Sequence, residues 1–350
     1  MFQLVSLKSA RESRHEAKKL LAEGVDPSQV KKERRRQSTV PTFEEIAVKW
    51  WHHERDKWAD SHADRVMKRL ADNSFKALGR LPADQVTPLQ VIDVIKKIEA
   101  RDTLDVANRV KQCIKAVYRY AIQHGIVTTN PAGDLDGIVK ARKVTHRPSL
   151  PKKELPEFLN CLEGYSKRGR ILTQLSIELL VLTFVRSEEI RGARWEEFDL
   201  EANLWRIPAE RMKMKVEHLV PLSQQSIDVI QRIRVITGRY ELVFPSEVNR
   251  TKTMSDNTMR QAVFRMGFDG KTLGKSKAVP HGFRATASSI LNEEGFNPDA
   301  IERQLAHEER NGVRAAYTHH ARYIDERTKM MQWWGDFLDA QASSYCAEHS

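Results

Sequence analysis

A short stretch near residue 140 divides this 350-residue chain into two parts that are expected to fold separately. Residues 137–151 read GIVKARKVTHRPSLP, with four Lys or Arg residues, two prolines and little apolar periodicity. Such a composition is typical of an extended linker, because prolines and charged residues favour neither a helix nor a buried strand. Helical periodicity is present on both sides. The sequence therefore predicts one domain over residues 41–138, an interdomain linker over 139–150 and a second domain over 151–340.

The first domain is predicted to be helical throughout. Thr42 and Glu45 have the spacing of a capping box, and apolar residues follow them at helical intervals. Thr87 precedes Pro88, which is a typical helix start, and Gly125 ends the last apolar periodic run. Four helices of this kind form a compact domain of ordinary size.

The second domain has a different hydrophobic pattern at its centre. Residues 203–223, NLWRIPAERMKMKVEHLVPLS, alternate apolar and polar residues around a polar turn, which predicts a β-hairpin. Helical patterns surround it at 154–162, 171–184, 225–236, 257–266, 283–293, 298–306 and 324–338. The fold class expected is mainly α with a small antiparallel sheet, in which a helical domain precedes a mixed α+β domain.

Composition excludes several classes of protein. Charged residues make up 30% of the chain, and no apolar run approaches the roughly 20 residues that span a bilayer, so no membrane association is expected. Three cysteines, Cys113, Cys161 and Cys346, suit neither a disulfide framework nor a zinc site, which favours a reducing, cytoplasmic location. With 58 Lys or Arg against 47 Asp or Glu, the net charge of +11 favours a nucleic-acid partner, although a basic surface is often merely solvated.

Candidate chemistry lies in four short segments of the second domain. The sequence has no GxGxxG after a strand, P-loop, HExxH or GxSxG, so nucleotide-driven and zinc-hydrolase activities lose support. Basic residues, histidines and a tyrosine remain, and these types can grip and cleave a phosphodiester. The segments are TFVRSEEI (183–190), RMKMKVEHLVPL (211–222), HGFR (281–284) and LAHEERNGVRAAYTH (305–319). Each alone has an ordinary structural explanation, such as a capping arginine, a solvated lysine or a hydrogen-bonded core histidine.

In combination and in this order, the segments resemble the tyrosine recombinases, the family of phage-integrase-like site-specific recombinases. The shared pattern is an Arg after a helix, a Lys in a β-turn, H-x-x-R, a His or Trp, and a Tyr. The phrases ARWEEFDLEANLWRIPAERMKMK, VPLS and LAHEERNGVRAAY are similar to the subgroup carried by genomic islands and satellite phages. The catalytic residues that the resemblance implies are Arg186, Lys213, His281, Arg284, His307 and Tyr317.

The resemblance also implies a role for each of these residues. Tyr317 attacks the scissile phosphate and leaves a 3′-phosphotyrosyl bond, His281 assists proton transfer at the tyrosine, and Lys213 protonates the departing 5′ oxygen. The two arginines and His307 hold the phosphate, and Glu189 supports this pocket without reacting. No cofactor, metal or ATP is needed, because the tyrosyl bond conserves the phosphodiester energy.

The family's partners follow from the same resemblance. Members close two domains around double-stranded attachment sites, so the linker residues Lys140, Arg142, Lys143 and Arg147 are expected on phosphates. Four protomers assemble on two synapsed sites, with accessory DNA-bending or excision factors as further candidate partners, and the enzyme is expected with the nucleoid. The C-terminal WWGDFLDA segment either contacts a neighbouring protomer or packs in its own core.

Residues 1–38 resemble the end of the subgroup's arm-binding domain, as a helical remnant followed by a basic linker that is either solvated or on DNA. The strands of that domain are expected to be missing, through truncation, a misassigned start or natural shortening. Integration or excision of a mobile element is the function implied. Two alternatives stay open at this point: an activity like that of type IB topoisomerases, and a catalytically idle DNA-binding remnant.

Overall fold

The computed structural model describes residues 40–140, 148–307 and 323–349, together with parts of 14–28. The chain forms two compact units, residues 1–144 and 145–350. Much of the predicted N-terminal helix and basic tract lies outside the described residues, as do Arg142, Lys143 and Arg147 of the linker. Each unit has its own apolar core.

The first unit is a bundle of helices. Its elements are α1 (Phe43–Glu54), α2 (Asp60–Leu70), a π-helix (Ala71–Gly79), α3 (Pro88–Glu99) and α4 (Leu104–Gln123). The capping box predicted at Thr42 is present, and a second one at Thr87 also caps a helix. The π-helix was not predicted. Within it the Ser74 hydroxyl donates to the Leu70 carbonyl at 2.6 Å, a side-chain bond that periodicity does not reveal.

The second unit combines helices with a three-stranded antiparallel sheet. Its helices are α5 (Leu155–Glu163), α6 (Ile171–Thr183), α7 (Ser187–Arg191), α8 (Gln224–Thr237), α9 (Asp256–Arg265), α10 (Gly282–Glu293), α11 (Pro298–Gln304) and α12 (Ile324–His349). Its strands are β1 (Phe198–Asp199), β2 (Leu204–Ile207) and β3 (His218–Pro221), paired in that order. The predicted fold class is therefore confirmed, and the predicted hairpin corresponds to β2 and β3. The extra strand β1 was missed because two residues are too few to show alternation.

Helix α6 runs through the core of this unit. All of its residues except Ile171 and Glu178 are buried, as expected for a helix that is apolar on every side. In α12, Trp334 is buried and its indole N–H donates to the Val181 carbonyl of α6 at 2.9 Å. Leu338 is buried as well, so both of these WWGDFLDA residues pack in the core of their own protomer.

Every helix in the described part of the chain falls short of the length and apolarity that a membrane crossing requires.

Candidate active site

Arg186 lies at the junction of α6 and α7, in a position set by two local features. Phe184 adopts the left-handed conformation (φ 38°) and ends α6, which turns the chain so that Arg186 becomes the N-cap of α7. A cation at a helix N-terminus is disfavoured by the helix dipole, so the ordinary explanation of an arginine at a helix C-terminus does not apply. The buried Glu189 offsets this cost. Its carboxylate accepts from the Arg186 backbone N–H at 2.7 Å and from Nη1 at 2.8 Å.

Arg284 lies in the first turn of α10 and is only 4% exposed. Its Nη1 donates to the Phe184 carbonyl at 2.8 Å, and its Nη2 donates to the Leu305 carbonyl. Burial, and after it the positive charge of Arg186, lower the pKa of Arg284 to about 10. The guanidinium is therefore still charged at neutral pH, in a pocket that concentrates positive charge.

His307 completes the cluster from the end of α11. Its Nδ1 lies 2.8 Å from Glu302 Oε2, and its Nε2 lies 3.3 Å from Arg284 Nη2. Both contacts are satisfied when Nδ1 carries the ring proton, because Nε2 then accepts from the arginine. Arg186 Nη2 also donates to the Ala306 carbonyl at 3.0 Å. Each arginine thus ties the α6–α7 junction to the end of α11.

The contacts described above involve none of the other predicted catalytic residues. His281 is the half-buried N-cap of α10, three residues before Arg284. Lys213 is exposed in the loop between β2 and β3, and Tyr317 lies outside the described residues. In the linker, Lys140 is exposed and its backbone N–H donates to Glu99 Oε1 at 3.1 Å. The described geometry therefore brings together Arg186, Arg284, His307 and Glu189.

Sequence reasoning missed Arg211. Its Nη1 donates to the Glu197 carboxylate and its Nη2 donates to the Glu189 carbonyl. The pairing links residues whose sequence positions carry no shared periodicity, so no signal in the chain could have indicated it.

Sequence reasoning also missed the role of Gly282 in the HGFR segment. A Cβ at this position would clash with the Pro148 carbonyl oxygen, so the backbone leading into the second unit approaches α10 at its first residue. The signal was available, since a glycine at the first position of a helix can permit close backbone approach.

A buried polar network lies beside the cluster. Gln304, fully buried, donates from Nε2 to the Thr183 carbonyl at 3.1 Å and accepts from Arg327 Nη2 at 2.6 Å. Arg327 also donates to the Leu219 carbonyl of β3, and the His218 ring lies 3.2 Å from the Gln304 carbonyl. The network therefore connects the ends of α6 and α11 to β3 and α12. Helix α11 precedes the segment that carries Tyr317 in the sequence, and α12 follows it.

His218 is expected to make the protein less stable in acid. Burial, and next the Arg327 charge, lower the pKa of His218 to about 3, against 6.5 for an unperturbed imidazole. The unfolded chain therefore binds the extra proton first, so stability is retained above pH 6.5 and is lost as the pH falls from there towards 3. Between pH 7 and 5 the loss amounts to up to about 2 kcal/mol.

Denaturant unfolding at both pH values would measure this loss. A His218→Gln variant keeps a donor for the Gln304 carbonyl but cannot titrate, so its stability should change less over that range. An equal pH dependence in variant and wild type would contradict the assignment.

Within the described residues there is no group of three or more His, Cys, Asp or Glu side chains arranged to hold a metal ion. Cys113 and Cys161 are both free thiols.

Nearly the whole chain matches known proteins. Residues 43–138 match the phage integrase central domain, and residues 148–323 match the phage integrase family. The integrase of Enterobacteria phage P4 is 44% identical over 97% of this chain and 79% of its own length. The putative protein IntB of Escherichia coli K12 is 42% identical over 97% of this chain and 88% of its own.

The fold is shared with solved integrase structures. A lambda integrase tetramer bound to a Holliday junction superimposes with a TM-score of 0.65 at 15% identity, covering 89% of this chain and 88% of that one. None of these matches favours the topoisomerase-like or idle-remnant alternatives. The family predicted from the four segments is confirmed, in a phage and prophage context. The chain belongs to the phage integrase family and is a tyrosine recombinase, a site-specific integrase that cleaves and rejoins DNA.

Proposed function

We propose that Arg186, Lys213, His281, Arg284, His307 and Tyr317 form one reaction centre, which integrates or excises a mobile element through a 3′-phosphotyrosyl intermediate. The observation that carries this proposal is the cluster of two arginines and a histidine, drawn from three separate segments. Their side chains meet through the contacts of Arg284 Nη2 with Leu305 and His307 and of Arg186 Nη2 with Ala306.

The arginines hold the scissile phosphate. Attack on a phosphodiester adds negative charge to its non-bridging oxygens, and fixed guanidinium groups stabilise that charge without reorganising. Glu189 keeps the Arg186 fork in place, and carbonyls keep that of Arg284. His307, whose Nδ1 is held by Glu302, would donate to a phosphate oxygen with a proton on Nε2 once its contact with Arg284 opens.

Tyr317 and Lys213 carry the covalent step. The tyrosine oxygen forms a bond to phosphorus, and the 5′ oxygen leaves with the bonding electron pair. The phenolic proton passes to His281, and the Lys213 ammonium supplies a proton to the leaving oxygen. Attack by a 5′-hydroxyl from another strand reverses these transfers and reseals the DNA.

The DNA contacts and the assembly are part of the same proposal. We infer that residues 41–138 bind the core of a double-stranded attachment site, that 139–150 follow the duplex with Lys140, Arg142, Lys143 and Arg147 on phosphates, and that 151–340 are catalytic. A tetramer on two synapsed sites matches the assembly in which lambda integrase was solved. Accessory DNA-bending or excision factors would act on that assembly, and chromosomal substrates would place the enzyme at the nucleoid in the cytoplasm.

A trapping assay tests the proposal. The protein is incubated with nicked duplex DNA that spans the junction of its element, and the mixture is denatured in SDS. We expect a protease-sensitive protein–DNA adduct and a released strand whose 5′-hydroxyl accepts phosphate from polynucleotide kinase without prior dephosphorylation. Specific DNA binding without any adduct would instead support an idle remnant, and relaxation of plasmids without sequence preference would support a topoisomerase-like activity.

A further inference from the structure

We propose that Arg211 is a positioning residue that couples the Lys213 loop to the phosphate-binding arginines. The inference rests on the proposed function, because it takes Lys213 as the general acid for the departing 5′ oxygen. It adds a residue to which none of the roles above is assigned.

The contacts of Arg211 point away from the exposed loop and into the second unit. Its side chain is 17% exposed and its guanidinium donates to both carboxylate oxygens of Glu197, whose side chain is 3% exposed. Glu197 also accepts from the indole N–H of the fully buried Trp205 at 2.9 Å. The arginine is thus held by a carboxylate that is itself fixed by strand β2.

The second hydrogen bond reaches the catalytic cluster. Arg211 Nη2 donates to the backbone carbonyl of Glu189, and the Glu189 carboxylate holds Arg186. Glu189 therefore presents its carboxylate to Arg186 and its backbone carbonyl to Arg211. A displacement of Arg211 would move Lys213 more than Arg186. The reason is that Glu189, which holds Arg186, is also fixed by its place in α7.

The chain is held against the core of the second unit up to Met212, and beyond it Lys215 donates to the Met212 and Glu210 carbonyls. Arg211 ends a 3₁₀ turn (Ala209–Arg211), and Met212 is buried in the apolar core. Residues 213–217 are then exposed until the chain is buried again at His218. Arg211 and Met212 are therefore the last fixed points before Lys213. A buried ion pair adds little net stability compared with apolar packing. The orientation of the Arg211 guanidinium is nevertheless fixed, because Glu197 holds Nη1 and the Glu189 carbonyl holds Nη2.

Sulfur substitution at the bridging 5′ oxygen separates a positioning role from a general structural one. A thiol loses its proton at a pKa of about 8.5, so a thiolate leaves without needing a general acid. With ordinary DNA, Arg211→Met and Lys213→Ala should both slow adduct formation by about 10²-fold, the lower end of what a general acid contributes. With the 5′-thio substrate, both variants should return close to the wild-type rate.

Control variants make the outcome specific. Arg206→Met makes the same change on the exposed position of β2 and should cleave both substrates as wild type does. Arg186→Met should stay slow on both, since sulfur does not replace a phosphate ligand. Glu197→Gln weakens the hold on Arg211 while keeping one acceptor oxygen for Trp205, so it should show a smaller defect that sulfur also corrects. It serves as the test if Arg211→Met does not fold, as judged by its melting transition.

The two hypotheses fail separately in this experiment. If sulfur does not rescue Lys213→Ala, the general-acid role in the proposed function is wrong. If sulfur rescues Lys213→Ala but neither Arg211→Met nor Glu197→Gln, or if those two variants cleave ordinary DNA normally, the positioning role of Arg211 is overturned.

Discussion

A Tyr317→Phe variant is expected to bind its attachment site with near wild-type affinity and to form no covalent adduct. Phenylalanine keeps the ring but lacks the oxygen that would bond to phosphorus, so the loss should be about 10⁴-fold or more, as for other nucleophile deletions. Affinity should persist because it comes mainly from contacts of Lys and Arg with the phosphates, which this change leaves in place.

The same chain offers a matched control for this variant. Tyr323 precedes α12, is half-buried, and its hydroxyl lies 3.4 Å from Asp299 Oδ2. Tyr323→Phe removes a hydroxyl from a neighbouring tyrosine and should leave adduct formation unchanged. Gel-shift titration and SDS trapping on the same nicked duplex measure the two properties. An adduct that persists in Tyr317→Phe and disappears in Tyr323→Phe would show that Tyr317 is not the nucleophile and that Tyr323 is.

The parts of the fold that depend on neighbouring residues were predictable from the sequence. A capping box needs only residues three apart, and Thr42 with Glu45 begins a helix as predicted. The β2–β3 hairpin was likewise visible as alternation, with Trp205 and Val220 facing each other across the two strands. These features persist because local preference and burial act in the same direction.

The contacts that orient the site were not predictable in this way. Arg186 and Arg284 could be selected because their motifs are local, but the carbonyls that hold them, at Phe184, Leu305 and Ala306, come from distant segments. Arg211, between β2 and β3, pairs with Glu197, directly before β1, and no periodic pattern encodes this pair. The sequence therefore indicates which groups are candidates for the reaction, whereas the tertiary structure determines what holds them in place.

An Arg284→Lys variant is expected to lose about 10²- to 10³-fold in the rate of adduct formation, although the positive charge is kept. The guanidinium spans two carbonyls, at Phe184 and Leu305, and also contacts His307. A lysine ammonium is a single point of charge and cannot reproduce this planar fork. At least one buried carbonyl would lose its donor, which costs about 1–3 kcal/mol, so the melting temperature should fall as well.

Because the variant affects stability and chemistry together, the rate must be measured per folded molecule. Single-turnover trapping at saturating DNA, below the melting transition of the variant, gives that rate, and Arg260→Lys on the exposed surface of α9 is the control for the substitution itself. A variant with a lowered melting temperature but a normal rate per folded molecule would show that Arg284 only joins the α6–α7 junction to the end of α11. A lowered rate in fully folded protein would show that the reaction needs the guanidinium fork of Arg284, since the lysine keeps the positive charge.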